Sequence, residues 1–227
     1  MATTRWDLTD EISSIFWWRR GRMKMNKKTI IAIAGRSSSG KTYIAKRLST
    51  ILGYKEVVSH TTRPIRSNET NGVEHWFDSK EEFQNVLDNQ TVIAYTKIGE
   101  YEYCATLEDI EDNCIYVIDP LGIKYLQEHF KDQINLKIIY IYCDEYIRRA
   151  RASTRSDFKI AWEDRNKAED EQFTEFEANR PWNLLIDNSH ANLNMDWVKK
   201  QVKWMMERET KNGIWNKSKI RQMGRET

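Results

Sequence analysis

The sequence has 227 residues, a length that suits one compact domain with short extensions, and its 40% hydrophobic and 31% charged residues argue against wholesale disorder. The net charge of +2 is too small to favour duplex nucleic acid or an anionic membrane as the main partner. The three cysteines lie far apart, which argues against a disulfide framework and predicts a reducing, cytoplasmic location.

Both ends of the chain are predicted to lie outside the folded core. Residues 1–26 contain the apolar run 15–18, which is too short for a membrane span and is followed by two arginines. Residues 210–227 form a basic tail of the kind that is usually a solvated face. We therefore expect neither a membrane partner nor a stable nucleic-acid partner.

The core is predicted from buried-strand patterns that alternate with helices. Residues 29–34 form a nearly continuous apolar run, typical of a strand covered on both faces, and an amphipathic helix to residue 51 follows a glycine-bearing turn. Similar strand patterns recur further along the chain, at 57–58, 115–118, 136–142 and 182–186. This order predicts an α/β three-layer sandwich around a parallel five-stranded sheet.

Two segments interrupt this alternation. Residues 59–106 combine polar turns, a helical stretch at 81–87 and short alternating runs, and we interpret them as an inserted lobe that binds the substrate. Residues 148–177 are dense in charge, which predicts a mobile helical lid over the cleft. A final helix capped by Asn194 has one apolar stripe, predicted to pack against the sheet: Met195, Val198, Val202 and Met205.

The segment Gly35-Arg36-Ser37-Ser38-Ser39-Gly40-Lys41-Thr42 satisfies the P-loop pattern between a predicted strand and a predicted helix. Backbone N–H groups of such a loop curl around phosphate oxygens, so residues 37–42 are predicted to bind ATP. Lys41 reaches the β- and γ-phosphates, and the Thr42 hydroxyl completes the shell of the Mg²⁺ that accompanies ATP. A mere glycine-serine turn is the alternative, and the flanking strand and helix count against it.

A second anion site is predicted at Arg63 and Arg66, which bracket a proline. The proline stiffens the turn, so both guanidinium groups can meet one dianionic phosphate. Two solvated arginines are the alternative for an isolated pair. The P-loop in the same chain favours phosphate binding.

The segment Ser59-His60-Thr61-Thr62-Arg63-Pro64-Ile65-Arg66, followed by Glu69 and Gly72, resembles the segment with which guanylate kinases grip the acceptor phosphate. The resemblance covers roughly residues 27–209. It implies that Tyr103, with Tyr101 as a near competitor, and His75, where the family usually has tyrosine, contact this phosphate. Ser59 is implied as a contact of the base.

The same resemblance implies residues for magnesium binding and for catalysis. Asp119, followed by Gly122, matches an aspartate that lies near the magnesium and the acceptor in the family. Arginines of the family's lid close over the phosphates, and pre-positioned cations stabilise the charge of a migrating phosphoryl group. The residues predicted to act in this way are Lys41, Arg151, Arg155 and Arg165.

Two departures from the family concern the base and the metal. Ala94 stands where guanylate kinases place a glutamate that accepts hydrogen bonds from guanine, and Val117 replaces the first aspartate of a pair that ends at Asp119. Loss of a buried acceptor can greatly reduce discrimination between bases. Glu100 or Glu102 replacing this glutamate is our hypothesis.

The function predicted from these residues is ATP- and Mg²⁺-dependent phosphorylation of a nucleoside monophosphate, GMP or dGMP first, by a monomer or homodimer. The alternatives are a kinase for another or modified deoxynucleoside monophosphate and a non-catalytic, guanylate-kinase-like module that binds proteins. A polynucleotide kinase would need a base for the hydroxyl proton and a basic groove, and the sequence shows neither.

Overall fold

Residues 27–67, 69–154, 158–190 and 192–207 are described by a computed structural model of the protein. The predicted extensions and Arg155 lie outside these residues. The strands in this part of the chain are β1 (Lys28–Ala34), β2 (His60–Thr61), β3 (Trp76–Phe77), β4 (Val92–Ile98), β5 (Tyr101–Thr106), β6 (Cys114–Val117), β7 (Ile134–Tyr142) and β8 (Leu184–Asp187). The helices are α1 (Lys41–Leu52), α2 (Lys80–Asn89), α3 (Pro120–His129), α4 (Glu145–Ser153), α5 (Phe158–Asn179) and α6 (Met195–Glu207). Within these residues, no helix is long and apolar enough to cross a membrane.

Four parallel strands form the central sheet in the order β6-β1-β7-β8. β1 is paired along both edges, and helices cover both of its faces. Ile30 and Ala32 pack in a cluster with side chains of α3 and α5, whereas Ile31 and Ile33 pack with side chains of α1 and α6. The predicted α/β fold with helices on both faces of a parallel sheet is therefore confirmed.

The predicted fifth strand of this sheet is reduced to one bridge. Glu56 pairs with Ile115 at the free edge of β6, where the Val57 N–H donates to the Ile115 carbonyl and the Ile115 N–H donates to the Lys55 carbonyl, both at 2.8 Å. Lys55 is exposed and Glu56 is only half-buried, so little apolar burial extends this pairing. The sheet thus has four strands rather than five.

A second, smaller sheet has the order β3-β2-β5-β4. β5 is antiparallel to both of its neighbours, and β2 and β3 are parallel. The helix α2 packs on this sheet through Phe83 and Val86, which contact Cys104. Ser79 and Glu82 form a capping box at its first turn.

Two helices flank the loops that build the site. In α6 the predicted stripe is confirmed, since Val198, Val202 and Met205 are buried against the central sheet. In α5, Phe173 and Phe176 join a cluster of aromatic rings with Tyr140 and Trp182. The ring centres of Tyr140 and Trp182 are 4.6 Å apart. This cluster holds α5 beside the carboxyl end of β7.

Candidate active site

Four loops meet at the carboxyl edge of the central sheet. The P-loop follows β1, Asp119 follows β6, Cys143 and α4 follow β7, and Asn188 follows β8. The carboxyl ends of parallel strands lie at one edge, which is where open α/β sheets bind their ligands. The topology alone thus brings most of the predicted donor-side residues together.

The P-loop folds back on itself between β1 and α1. Ser38 and Gly40 have φ angles of 61° and 97°, in a region that glycine adopts without a side-chain clash. Lys41 Nζ donates to the carbonyl of Gly35 at 2.6 Å and to that of Arg36 at 3.1 Å, which lays the ammonium group across the loop. α1 begins at Lys41, and first-turn N–H groups have no intrahelical partner. Backbone donors and one ammonium group suit a polyphosphate.

The two glycines of the motif are also required by packing. A Cβ atom on Gly40 would lie 2.4 Å from Asn188 Nδ2, and one on Gly35 would lie 2.5 Å from the Ile141 carbonyl oxygen. Both distances are far shorter than ordinary contacts between such atoms. The residues at the carboxyl ends of β7 and β8 therefore pack directly against the P-loop.

The helix α5 brings three carboxylates to the P-loop. The Ser37 N–H donates to both carboxylate oxygens of Glu169, at 2.8 and 2.9 Å. Arg36 donates to Asp170 and, through two nitrogens at 2.9 and 3.1 Å, to Glu177. The bond to Glu177 is the main reason why the pKa of Arg36 lies above its ordinary value. Glu169 thus accepts from the Ser37 N–H, one of the backbone groups that the P-loop motif predicts to bind phosphate. The sequence does not reveal this contact.

Two arginines of α4 contact carbonyl groups of the same loop. Arg151 donates to the Asn188 carbonyl at 3.0 Å and to the Ser39 carbonyl at 3.4 Å. Arg148 is buried and lies 3.4 Å from the Ser37 carbonyl. Arg151 therefore lies at the P-loop, and its catalytic role stays a prediction. The other two predicted lid arginines are Arg165, within α5, and Arg155, outside the described residues.

The predicted acceptor residues converge on one face of the second sheet. Ser59 Oγ and His75 Nδ1 are 2.9 Å apart, and the rings of His75 and Tyr103 meet edge to face with centres 5.9 Å apart. Arg63 is only 7% exposed, donates to Glu69 and lies over the ring of Phe77, so it is not a solvated arginine. Burial and the charge of Arg63 lower the pKa of His75, so the imidazole is neutral at pH 7.

Glu69 organises the predicted arginine pair. Two nitrogens of Arg63 donate to its two oxygens at 2.9 Å, and the backbone N–H of Arg66 donates at 2.9 Å. Burial raises the pKa of Glu69, but the bonds from both arginines outweigh burial and hold it below the ordinary value. The sequence indicates Glu69 only through its place in the family segment. Its role as a shared anchor depends on the fold of the turn.

Asp119 links the two halves of the site. It caps α3 by accepting from the Gly122 N–H at 2.8 Å, and the hydroxyl of Thr96 lies close enough to lower its pKa. Thr96 is 5% exposed, was not predicted, and pairs directly with Tyr103 across β4 and β5. Burial raises the pKa of Asp119, whereas hydrogen bonds and the charge of Lys41 lower it. The effect of burial is the larger, so the pKa lies above its ordinary value. The carboxylate thus contacts the acceptor strands and lies within the field of the P-loop lysine.

The base-recognition hypothesis for Glu102 does not agree with the structure. Neighbouring residues of a strand point to opposite faces, so Glu102 lies on the face of β5 away from Tyr103, where it accepts from the hydroxyl of Tyr95. Glu100 is exposed in the turn between β4 and β5. Ala94 itself is buried.

A phosphate-binding loop of this kind, between a parallel strand and a helix and beside an arginine-bearing lobe, defines a P-loop nucleotide-binding protein. Residues 26–209 match the sequence model of the guanylate kinase family. The chain therefore belongs to that family.

Two guanylate kinase sequences and one guanylate kinase crystal structure are similar to this chain. A guanylate kinase of Legionella pneumophila (strain Paris) is 28% identical over 153 residues, which are 64% of this chain and 73% of that protein. One of Neisseria meningitidis serogroup A is 30% identical over 120 residues, 50% of this chain and 58% of that protein. The crystal structure of guanylate kinase from Anaplasma phagocytophilum shares the fold, with a TM-score of 0.58 at 20% identity over 82% of this chain and 88% of that one.

Replacement of Glu169 by glutamine is expected to tighten ATP binding. A triphosphate has to displace this carboxylate from the Ser37 N–H, and a neutral amide competes less well and does not repel phosphate. We expect the Kd for ATP, measured by calorimetry, to fall about threefold to tenfold. Glu171→Gln, an exposed site on the same helix, is the matched control. An unchanged Kd for Glu169→Gln would show that phosphate does not compete with this carboxylate.

Replacement of Asp119 by asparagine is expected to stabilise the fold at neutral and alkaline pH. Because folding raises the pKa of Asp119, its ionised form destabilises the folded state, and asparagine caps a helix without that charge. Thermal melts should show a Tm a few degrees higher at about pH 8, and the difference should shrink as the pH falls and wild-type Asp119 takes up a proton. Asp132→Asn, at an exposed site, should show no such trend. A lower Tm for Asp119→Asn at about pH 8 would contradict this prediction.

Proposed function

We propose that this protein transfers the terminal phosphate of ATP to a nucleoside monophosphate, with GMP or dGMP as the favoured acceptor. The observation that carries this proposal is the pair of anion sites. One is the P-loop with Lys41, and the other is the buried Arg63 with Tyr103. Asp119 connects them through Thr96, which faces Tyr103, and through the nearby charge of Lys41.

The parts of the chain are assigned to this reaction as follows. Residues 27–209 form the guanylate-kinase-like domain, and within it residues 59–106, which include the second sheet, form the lobe that binds the acceptor. Residues 148–177, which include α4 and α5, form the lid. Residues 1–26 and 210–227 are extensions of this domain.

The donor side would bind the triphosphate through residues 37–42. The N–H groups of Ser37, Ser38, Ser39 and Gly40 lie in the loop before α1, and the dipole of α1 favours negative charge at its first turn. Lys41 would exchange the carbonyls of its own loop for the β- and γ-phosphates.

Cations of the lid would stabilise the charge that develops on the migrating phosphoryl group. Arg151 already lies at the P-loop, and Arg155 and Arg165 are assigned to the same task through the family pattern. In a closed cleft such charges act far more strongly than in water. The attacking group is a phosphate oxygen that is ionised near neutral pH, so no general base is required.

The acceptor phosphate would bind on the face of the second sheet that carries Tyr103 and Arg63. The neutral imidazole of His75 donates one hydrogen bond and accepts another, which matches its contact with Ser59. Arg66 is more exposed than Arg63 and shares Glu69 with it, so both guanidinium groups reach the same side of the turn.

The residues proposed for magnesium fit its preference for oxygen ligands. Thr42 offers a hydroxyl on the first turn of α1, and Asp119 offers a carboxylate close to Lys41. Magnesium bound with ATP would neutralise charge on the β- and γ-phosphates. Asp119 is held for this purpose by the Gly122 N–H.

A kinase for another or modified deoxynucleoside monophosphate is the second candidate. It is favoured because Ala94 offers no acceptor for the guanine edge and Glu102 lies on the other face of β5. A non-catalytic module is disfavoured, because the P-loop, Lys41 and the arginine pair are all present.

ATP consumption over a panel of ribo- and deoxynucleoside monophosphates tests this proposal. We expect turnover with GMP or dGMP, and a loss of about 100-fold to 1,000-fold in kcat for Lys41→Ala, because a charge that contacts the transferred phosphate is removed. Arg47→Ala, at an exposed position of the same helix, is the matched control. Equal, background turnover of wild type and Lys41→Ala over the whole panel would contradict an enzymatic function. Preference for a different monophosphate would support the second candidate.

A further inference from the structure

We propose that Asn188 is a positioning residue that, together with Arg151, orients the Gly40 N–H toward the phosphates of ATP. This inference rests on the proposed function, since it assigns a task within the ATP site. Asn188 was not among the residues predicted for the site. Arg151 was predicted to act on the phosphoryl group itself rather than on the loop.

Asn188 is fixed where β8 ends. Its backbone N–H donates to the Tyr142 carbonyl at 2.8 Å, and the residue is 8% exposed. Its side-chain Nδ2 donates to the Ser39 carbonyl at 2.8 Å. Its own carbonyl accepts from Arg151 at 3.0 Å, and Arg151 also reaches the Ser39 carbonyl at 3.4 Å. The Ser39 carbonyl is thus held from two sides.

The orientation of this carbonyl fixes the orientation of the next N–H. The atoms of a peptide unit lie in one plane, and in a trans peptide the C=O and N–H bonds point in opposite directions. The peptide between Ser39 and Gly40 is trans, like the others in the described ranges. When Asn188 and Arg151 hold the Ser39 carbonyl on their side, the Gly40 N–H has to point away from them. That direction is available to an anion in the loop.

Contact between Asn188 and Gly40 leaves the peptide little freedom. A side chain on Gly40 would collide with Asn188 Nδ2, at 2.4 Å from the Cβ position. The φ angle of 97° at Gly40 is one that other residues rarely adopt. The amide of Asn188 therefore packs directly on the turn whose N–H it orients, and a bound phosphate would need no reorganisation of this peptide.

Asn183 provides a matched control at the other end of the same strand. Its Oδ1 accepts from the Ile138 N–H at 2.7 Å, so it also fixes an edge of β8 by one amide bond. Among the hydrogen bonds of the described residues, none joins Asn183 to the P-loop. Asn183→Leu therefore removes a comparable structural bond without changing the ATP site.

The test compares Asn188→Leu with Asn183→Leu in the full-length protein. We expect Asn188→Leu to raise the KM for ATP about tenfold and to leave the KM for the monophosphate unchanged, because one aligned donor is lost. In NMR spectra, the Gly40 amide resonance of the wild type should move downfield on addition of ADP, and that of Asn188→Leu should stay in place. Asn183→Leu should lower the Tm only.

Each outcome is decisive. If Asn188→Leu does not fold, the isosteric Asn188→Asp is used, since a carboxylate cannot donate to the Ser39 carbonyl and the Gly40 shift should again be lost. A normal KM for ATP and a normal Gly40 shift in either variant would overturn the role of Asn188 and leave the proposed function intact. Failure of the wild type to bind ATP would overturn both.

Discussion

The backbone of the P-loop is held in place by contacts from elements that lie far apart in the chain. The ends of β7 and β8 press on Gly35 and Gly40, α4 brings arginines to the carbonyls of the loop, and α5 pairs with Arg36. The other parts of the site are arranged around this loop.

The arrangement of the predicted acceptor-binding residues depends on the alternation of side chains along the strands and on the Glu69 carboxylate, which Arg63 and Arg66 share. Alternation places Thr96 and Tyr103 on one face and turns Glu102 to the other. Glu69 ties Arg63 to the backbone of Arg66, so the pair is formed before a ligand binds. Asp119 lies between the two halves of the site, and burial raises the pKa of its carboxyl group.

Local patterns made the P-loop, the buried strands and the arginine turn predictable, because each depends on a few consecutive residues. The predicted fifth strand pairs with β6 through one bridge only. Whether a full strand forms there depends on how much apolar surface the pairing buries, which no short sequence pattern shows. The bonds that Glu169 and Asn188 make with the P-loop join residues 132 and 149 positions apart. Such contacts arise only when α5 and β8 are packed, and the roles of Arg155 and Arg165 stay predictions.

A calorimetric titration with adenosine and guanosine joined by five phosphates would test the central claim most directly, namely that the P-loop and the Arg63 site bind the two nucleotides of one phosphoryl transfer. If both sites are filled by one molecule, this compound should bind at least about 100-fold more tightly than ATP. An affinity no greater than that of ATP would show that the two sites do not act together.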